Sequence, residues 1–224
     1  MTHIHTVVIS FDRLELTRQC ISSYLQSVSV PFSMIVVDNG SKAEVVEFLD
    51  DWLPNISAPA NEIQLLALGE NKYPGYACNR GWEAMHPETT LLHRADNDFS
   101  YLYGWSDEVV KRFAENPRLG QLGLRTNKEE MNAEFNVGGN NVIRRELFDK
   151  GLRYDEKPWS EYPPGWSEDS LFTPKVVKRG YEWGRVERRC IVSLASGDWD
   201  DPYYAKSYGD RRIKRPKNSA PGTR

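Results

Sequence analysis

The chain has 224 residues, 39% of them hydrophobic and 27% charged, which suits one α/β domain with small additions and enough apolar material for a core. No stretch approaches the roughly 20 apolar residues of a membrane-crossing helix, and Met1-Thr2-His3-Ile4-His5 runs directly into a strand-like segment instead of forming a secretory leader, so a cytoplasmic protein without a membrane span is expected. A net charge of −3 excludes a global pull toward nucleic acid, and the widely spaced Cys20, Cys78 and Cys190 are expected as buried reduced thiols, not as a disulfide framework or a metal cage.

In chain order, Thr6-Val7-Val8-Ile9-Ser10 predicts a first strand. Helical spacing of Leu16, Cys20, Ile21, Tyr24 and Leu25 follows, then a second strand at Met34-Ile35-Val36-Val37. Ser41-Lys42-Ala43-Glu44 has the form of a capping box and opens a helix with Val45, Val46, Leu49 and Trp52 on its apolar side, ended by Pro54. Ile63 to Leu68 predicts a third strand, Ala77 to Met85 a helix stopped by Pro87, and Thr90 to Ala95 a fourth strand with Asp96 at its end. Near-continuous apolar strands alternating with helices predict a mostly parallel sheet covered on both faces.

The second half is less regular. A helix is expected from Ser106 to Asn116, a weak strand from Gln121 to Leu124, and a loop over residues 126–134. Glycines in the strand-like Val137-Gly138-Gly139-Asn140-Asn141-Val142-Ile143 suggest a close backbone approach. Pro158 to Trp166, rich in proline and aromatics, is expected as a mobile loop. Ser167 caps a helix that runs to Arg179 with Gly180 just past its end, and strands at Tyr181 to Val186 and Ile191 to Leu194 close the pattern. His3 and His5 at the chain end are expected in solvent. From Lys206 on, Arg211, Arg212, Lys214, Arg215 and Lys217 face a lone Asp210, which predicts a solvated basic tail, with a polyanion contact as the alternative.

Open α/β sheets bind ligands outside the carboxyl ends of their strands. Those ends read Ser10-Phe11-Asp12-Arg13, Asp38-Asn39-Gly40-Ser41, Asn71 through Asn79, and Asp96-Asn97-Asp98. Asx turns and helix caps explain any one of them. They do not readily explain Asp96 and Asp98 together, because two carboxylates past one buried strand repel each other unless a cation lies between them. Hard oxygen ligands of this kind suit Mn²⁺ or Mg²⁺, which take one or two carboxylates and complete their shells with phosphate and water.

Five segments follow in order: Thr6 to Arg13, Ile35-Val36-Val37-Asp38-Asn39-Gly40-Ser41, Asn71 with Gly75-Tyr76-Ala77-Cys78-Asn79-Arg80-Gly81, Asn140-Asn141 with Arg144-Arg145-Glu146-Leu147-Phe148, and Trp166-Ser167-Glu168-Asp169. Taken together, they resemble family 2 glycosyltransferases of the GT-A fold, in a rhamnosyltransferase-like branch. The resemblance implies that Asp12 and Asp38 contact the base and ribose of a nucleoside-diphosphate sugar, with Ser10, Arg13, Asn39, Asn71, Asn79 and Asn97 beside them. Asp96 would meet ribose or a metal-bound water, and Asp98 would be the main protein ligand of the metal. Asp169 would be the general base with Glu168 beside it, and Gly139, Asn140 and Trp166 would lie on the acceptor side. The implied reaction is an inverting sugar transfer to an acceptor hydroxyl, with UDP expected and GDP or dTDP as alternatives.

One GT-A domain over residues 1–205 is expected, with a nucleotide-binding half at 1–100, an acceptor half at 101–205 and a basic tail at 206–224. The acceptor is left open between a glycan, a small molecule and modified DNA bases, the last as in some phage enzymes. A non-catalytic sugar-nucleotide-binding module is the rival from another class. Some family members use a C-terminal histidine on the metal. No histidine follows His93, so that ligand is missing, or Asp198, Asp200 or Asp201 replaces it.

Overall fold

The computed structural model describes residues 1–56, 63–124, 137–163 and 166–194. Its elements are β1 (Ile4–Ser10), α1 (Leu14–Ser27), β2 (Phe32–Asp38), α2 (Ala43–Ile56), β3 (Ile63–Ala67), α3 (Tyr73–Glu83), β4 (Leu91–Asp96), β5 (Phe99–Tyr101), α4 (Trp105–Glu115), β6 (Leu119–Gly123), β7 (Asn141–Arg144), α5 (Arg145–Asp149), α6 (Glu168–Lys178), β8 (Glu182–Arg185) and β9 (Ile191–Ser193). A single 3-10 turn, Trp159–Glu161, precedes α6.

Seven strands form one sheet in the order β3-β2-β1-β4-β7-β6-β8, and β5 and β9 pair apart from it. The first four are parallel, β7 is antiparallel to both β4 and β6, and β8 runs parallel to β6. The sheet is therefore mixed but mostly parallel, the α/β architecture expected from the strand pattern. Successive side chains of a strand point to opposite faces, and β1 shows the consequence. Ile4 and Val8 join a core with Cys20, Tyr24, Leu49 and Trp105 from α1, α2 and α4. Val7 and Ile9 join one with Trp82, Leu147 and Phe172 from α3, α5 and α6. Both faces are thus covered, which is why these strands read as nearly unbroken apolar runs.

The chain lays β2 and β3 on one side of β1 and then returns to place β4 on the other. In register, Ser10 sits beside Asp38 and Ile9 beside Asp96. The carboxyl ends of β1 and β4 flank the point where strand order reverses, the usual place for a ligand crevice.

Several local expectations change. Pro54 does not end α2, which continues to Ile56 with the proline inside its last turn. There it removes one backbone bond near a helix end that has few left to make. Ser41 does not cap α2, because its hydroxyl is taken by Asp12 and Asp38. The α3 helix starts at Tyr73, ahead of the expected Ala77, with Pro74 in its first turn, where a missing N–H costs nothing. His3 and His5 are buried, not solvated. Cys20, Cys78 and Cys190 are buried free thiols, as expected. The loop at 126–134, the tail at 206–224 and Asp198, Asp200 and Asp201 lie outside the described residues. No helix among the described residues is long and apolar enough to cross a membrane.

Candidate active site

The loops after β1, β2 and β3 are tied to one another. Asp38 accepts from the backbone N–H groups of Gly40 and Ser41 at 3.1 and 3.0 Å and from the Ser41 hydroxyl. Ser41 Oγ in turn accepts from the Asp12 N–H at 2.7 Å, and Asp12 Oδ1 accepts from the Lys42 N–H at 3.1 Å. Asn39 donates to Asn71 at 3.2 Å and accepts from the Lys72 N–H at 2.9 Å. Gly40, at φ 86°, lies so close to the backbone of Glu70 and Asn71 that a Cβ would overlap it. Asp12 and Arg13 hold φ of 48° and 50° and Tyr73 one of 66°. Left-handed backbone at non-glycine residues is costly and tends to collect at functional sites. Here it falls on two of the three loops.

At the end of β4, Asp98 pairs with Arg13 across the β1/β4 boundary at 3.5 Å. Gly139 packs against the Asp96 carboxylate, where a Cβ would overlap Oδ2. The Asp96 N–H donates to Oδ1 of Asn140 at 3.2 Å. Asp96 and Asp98 keep part of their surface, while Asn97 between them turns inward to donate to Thr17 at 2.8 Å. Among the described residues, no three His, Cys, Asp or Glu side chains converge into a cation cage. Two partly open carboxylates fit Mn²⁺ or Mg²⁺, ions that leave most of their shell to phosphate and water. The long Arg13 contact is weak enough to yield to a divalent cation.

The sequence reading missed the residue that joins this edge to α6. Arg94, two positions before Asp96 and only 3% exposed, contacts Asp96 at 3.4 Å and Glu168 at 2.9 Å and lies 4.0 Å from Asp169. Its guanidinium sits 4.8 Å over the Tyr154 ring. Glu168 receives a second bond, at 3.2 Å, from the Trp159 indole. Burial, and then the charge of Asp169, raise the Glu168 carboxyl above the usual carboxylate range, while Arg94 opposes them. Asp169 is more open, with 24% of its side chain accessible, and accepts from Ser167 at 3.2 Å. Ser167 also caps the helix in a reciprocal box with Ser170, so the acids occupy the first turn of α6, where the helix dipole favours negative charge.

Several predicted contact residues face inward. Ser10 bonds Thr17 at 3.1 Å with no exposed surface. Asp38 and Asn39 are buried in the loop network above. Both amide protons of Asn79 are taken, by the Tyr154 carbonyl and by Glu156, and its Oδ1 accepts from the Tyr154 N–H. Asn140 is fully buried beneath Asp96. These six side chains, Asn97 included, hold the loops in shape and offer little surface to a ligand. A strand-end amide or acid has the same one-letter signature whether it points out or folds back, so the sequence cannot separate the two. Asp12, Arg13, Asn71, Asp96, Asp98, Asp169 and Trp166 keep surface of their own.

A profile of the family described as Glycosyl transferase family 2 matches residues 6–163, well over half of the chain. The chain belongs to glycosyl transferase family 2. Among curated proteins none matches the sequence. Solved structures show the same GT-A fold. The mannosyltransferase PcManGT from Pyrobaculum calidifontis, in complex with GDP-Man and Mn²⁺, aligns with a TM-score of 0.70 at 15% identity, over 87% of this chain and 57% of that one. The S. aureus TarS 1-349 complex with UDP-GlcNAc aligns with a TM-score of 0.65 at 14% identity, over 85% and 57%. GalNAc-T7 with UDP, GalNAc and Mn²⁺ aligns with a TM-score of 0.68 at 12% identity, over 87% and 45%. The family 2 chain described here therefore spans less than two thirds of the length of each. Its family match includes β4 and ends before the Glu168-Asp169 pair, which the fold alone brings to Arg94.

Proposed function

We propose that the protein is a metal-dependent, inverting glycosyltransferase that moves a sugar from a nucleoside-diphosphate sugar, with UDP as the preferred nucleotide, to an acceptor hydroxyl. The observation that carries this reading is the meeting of two carboxylate pairs from distant parts of the chain. Asp96 and Asp98 stand at the β4 end, Glu168 and Asp169 stand at the start of α6, and Arg94 lies between them.

Residues 1–100 would bind the nucleotide and residues 101–205 the acceptor. Asp12 and Asn71 would line the base and ribose, with Asp38, Asn39 and Ser41 holding their loops. A Mn²⁺ or Mg²⁺ ion held by Asp98 and Asp96 would supply Lewis-acid stabilisation of the charge that builds on the departing diphosphate. Both oxygens of Glu168 are committed, to Arg94 and Trp159, so Asp169 is the carboxylate open to an acceptor. Asp169 takes the hydroxyl proton as the acceptor oxygen bonds to the anomeric carbon. The bond from that carbon to the diphosphate breaks, and the nucleoside diphosphate leaves with the electron pair. Trp166, 37% exposed, offers a face on which an acceptor ring can stack.

The test is release of nucleoside diphosphate from a set of sugar nucleotides by purified protein with Mn²⁺. Slow hydrolysis by wild type, abolished in Asp98→Ala, is the expected result. A protein that neither binds nor cleaves any sugar nucleotide, or an Asp98→Ala variant with intact turnover, would overturn the reading.

A further inference from the structure

Arg94 and Asp96 are two residues apart on β4 and so share a face of the strand. One nitrogen of the guanidinium, Nη2, is divided between Asp96 Oδ1 at 3.4 Å and Glu168 Oε1 at 2.9 Å. The other terminal nitrogen, Nη1, is 4.0 Å from Asp169 Oδ1, too far for a hydrogen bond. Neither Nη1 nor Nε has a hydrogen-bond partner among the described residues, although the side chain is 3% exposed. Buried donors left without partners are costly, and native structures rarely keep them in every state. The packing therefore leaves Arg94 short of bonds on the side that faces Asp169.

We infer that Arg94 is a positioning residue that makes the placement of Glu168 and Asp169 depend on what Asp96 is doing. This inference rests on the donor site proposed above. With Asp96 turned toward Arg94, the guanidinium is shared between β4 and α6. When Asp96 turns away toward a bound nucleoside diphosphate, Nη2 would be released to Glu168, and Nη1 would close on Asp169. The first turn of α6 is then drawn against β4, with both acids held on one planar fork, a geometry that arginine forms and lysine does not.

Hydrogen exchange in the whole 224-residue chain reads this without an acceptor. The probe is Mn²⁺ with whichever of UDP, GDP or dTDP binds by calorimetry. In wild type, exchange of the amides at 167–171 is expected to slow about tenfold on binding, within the usual range for coupled sites. In Arg94→Lys, nucleotide binding is expected to remain and the slowing at 167–171 to be lost. A merely structural role would raise exchange there with and without nucleotide and leave the ligand-dependent difference intact. If Arg94→Lys does not fold, Arg94→Gln/Glu168→Gln removes both buried charges together, a change buried pairs tolerate better than loss of one partner, and the same loss is expected. Binding without slowing in wild type, or slowing that survives in either variant, overturns the inference and leaves the function standing. No binding of any of the three nucleotides overturns both.

Discussion

The indole N–H of Trp159 donates to Oε2 of Glu168 at 3.2 Å while Arg94 holds Oε1 at 2.9 Å, so a buried carboxylate is clamped from both sides by residues outside its own helix. Trp159 in turn stands edge-on to Tyr73, 5.7 Å between ring centres, which links the clamp to the left-handed turn that opens α3. Trp159→Phe keeps the ring and removes the donor. A hydrogen bond to a charged group contributes about 1.5–3 kcal/mol, so the variant is expected to lose about that much stability and to lower turnover about tenfold. Urea unfolding and nucleoside diphosphate release measure the two effects, and a variant equal to wild type in both would remove Trp159 from the site.

The pairing of Asp98 with Arg13 gives the proposed metal site a second testable property. Chelation is expected to abolish donor cleavage, and added Mn²⁺ to restore it. Asp98→Asn is expected to cost upward of about a hundredfold in turnover, because Lewis-acid stabilisation is commonly worth several kcal/mol. Arg13→Gln frees Asp98 from its ion pair and is expected to tighten Mn²⁺ binding in the absence of nucleotide. Calorimetric titration with Mn²⁺ alone decides this, and weaker binding would mean that Arg13 supports the site and does not compete for it.

Gly139 is a position where one methyl group separates fold from function. A Cβ there would overlap Oδ2 of Asp96, but the obstacle is the end of a side chain that can rotate. Gly139→Ala is therefore expected to unfold at nearly the wild-type urea concentration while binding nucleotide with Mn²⁺ about tenfold more weakly, the lower end of what disturbing the surroundings of a metal ligand, the role proposed for Asp96, costs. Equal losses of stability and affinity would show that the glycine serves the fold alone.

The strand-end edge of the sheet was legible because β-branched runs announce β1, β2 and β4 and because polar residues gather where those runs stop. The direction of each side chain was not. Asn79 and Asn140 look like ligand contacts in a string of letters, yet one clamps Tyr154 to α3 and the other supports the Asp96 backbone. Ser41 resembles a helix cap because its spacing to Glu44 fits, but the nearby Asp38 and Asp12 take it first. Arg94 did leave a signal. In Leu91-Leu92-His93-Arg94-Ala95 a charge interrupts a strand that both faces of the sheet bury, and such a charge must find a partner. Only the fold identifies that partner as Glu168, 74 residues away.

The same strand carries His93, and β1 carries His5, so acid should unfold the protein through its core. His5 is held between Ser33 at 2.8 Å and the Gly81 carbonyl at 3.1 Å, and burial pushes it down to about 4. His93 lies between Thr6 and Tyr101, both at 3.2 Å, and burial pushes it down to about 3. Both are neutral when folded. In the unfolded chain they take up protons below the ordinary value of 6.5, so the unfolded state binds more protons there and stability falls as pH falls. The loss begins near pH 6.5 and continues to about 4 for His5 and about 3 for His93, at about 1.4 kcal/mol per pH unit for each histidine. Glu168 acts in the opposite sense, because its raised carboxyl keeps a proton in the folded state at pH values where the unfolded chain has lost it. Glu168 therefore offsets part of the histidine loss where its window overlaps theirs, and a net loss of stability remains as pH falls from 6.5 toward 5. Urea midpoints measured across that interval should drop steadily, and His5→Asn should flatten the curve further. Midpoints that stay level in wild type would mean that the core admits water to one of the imidazoles.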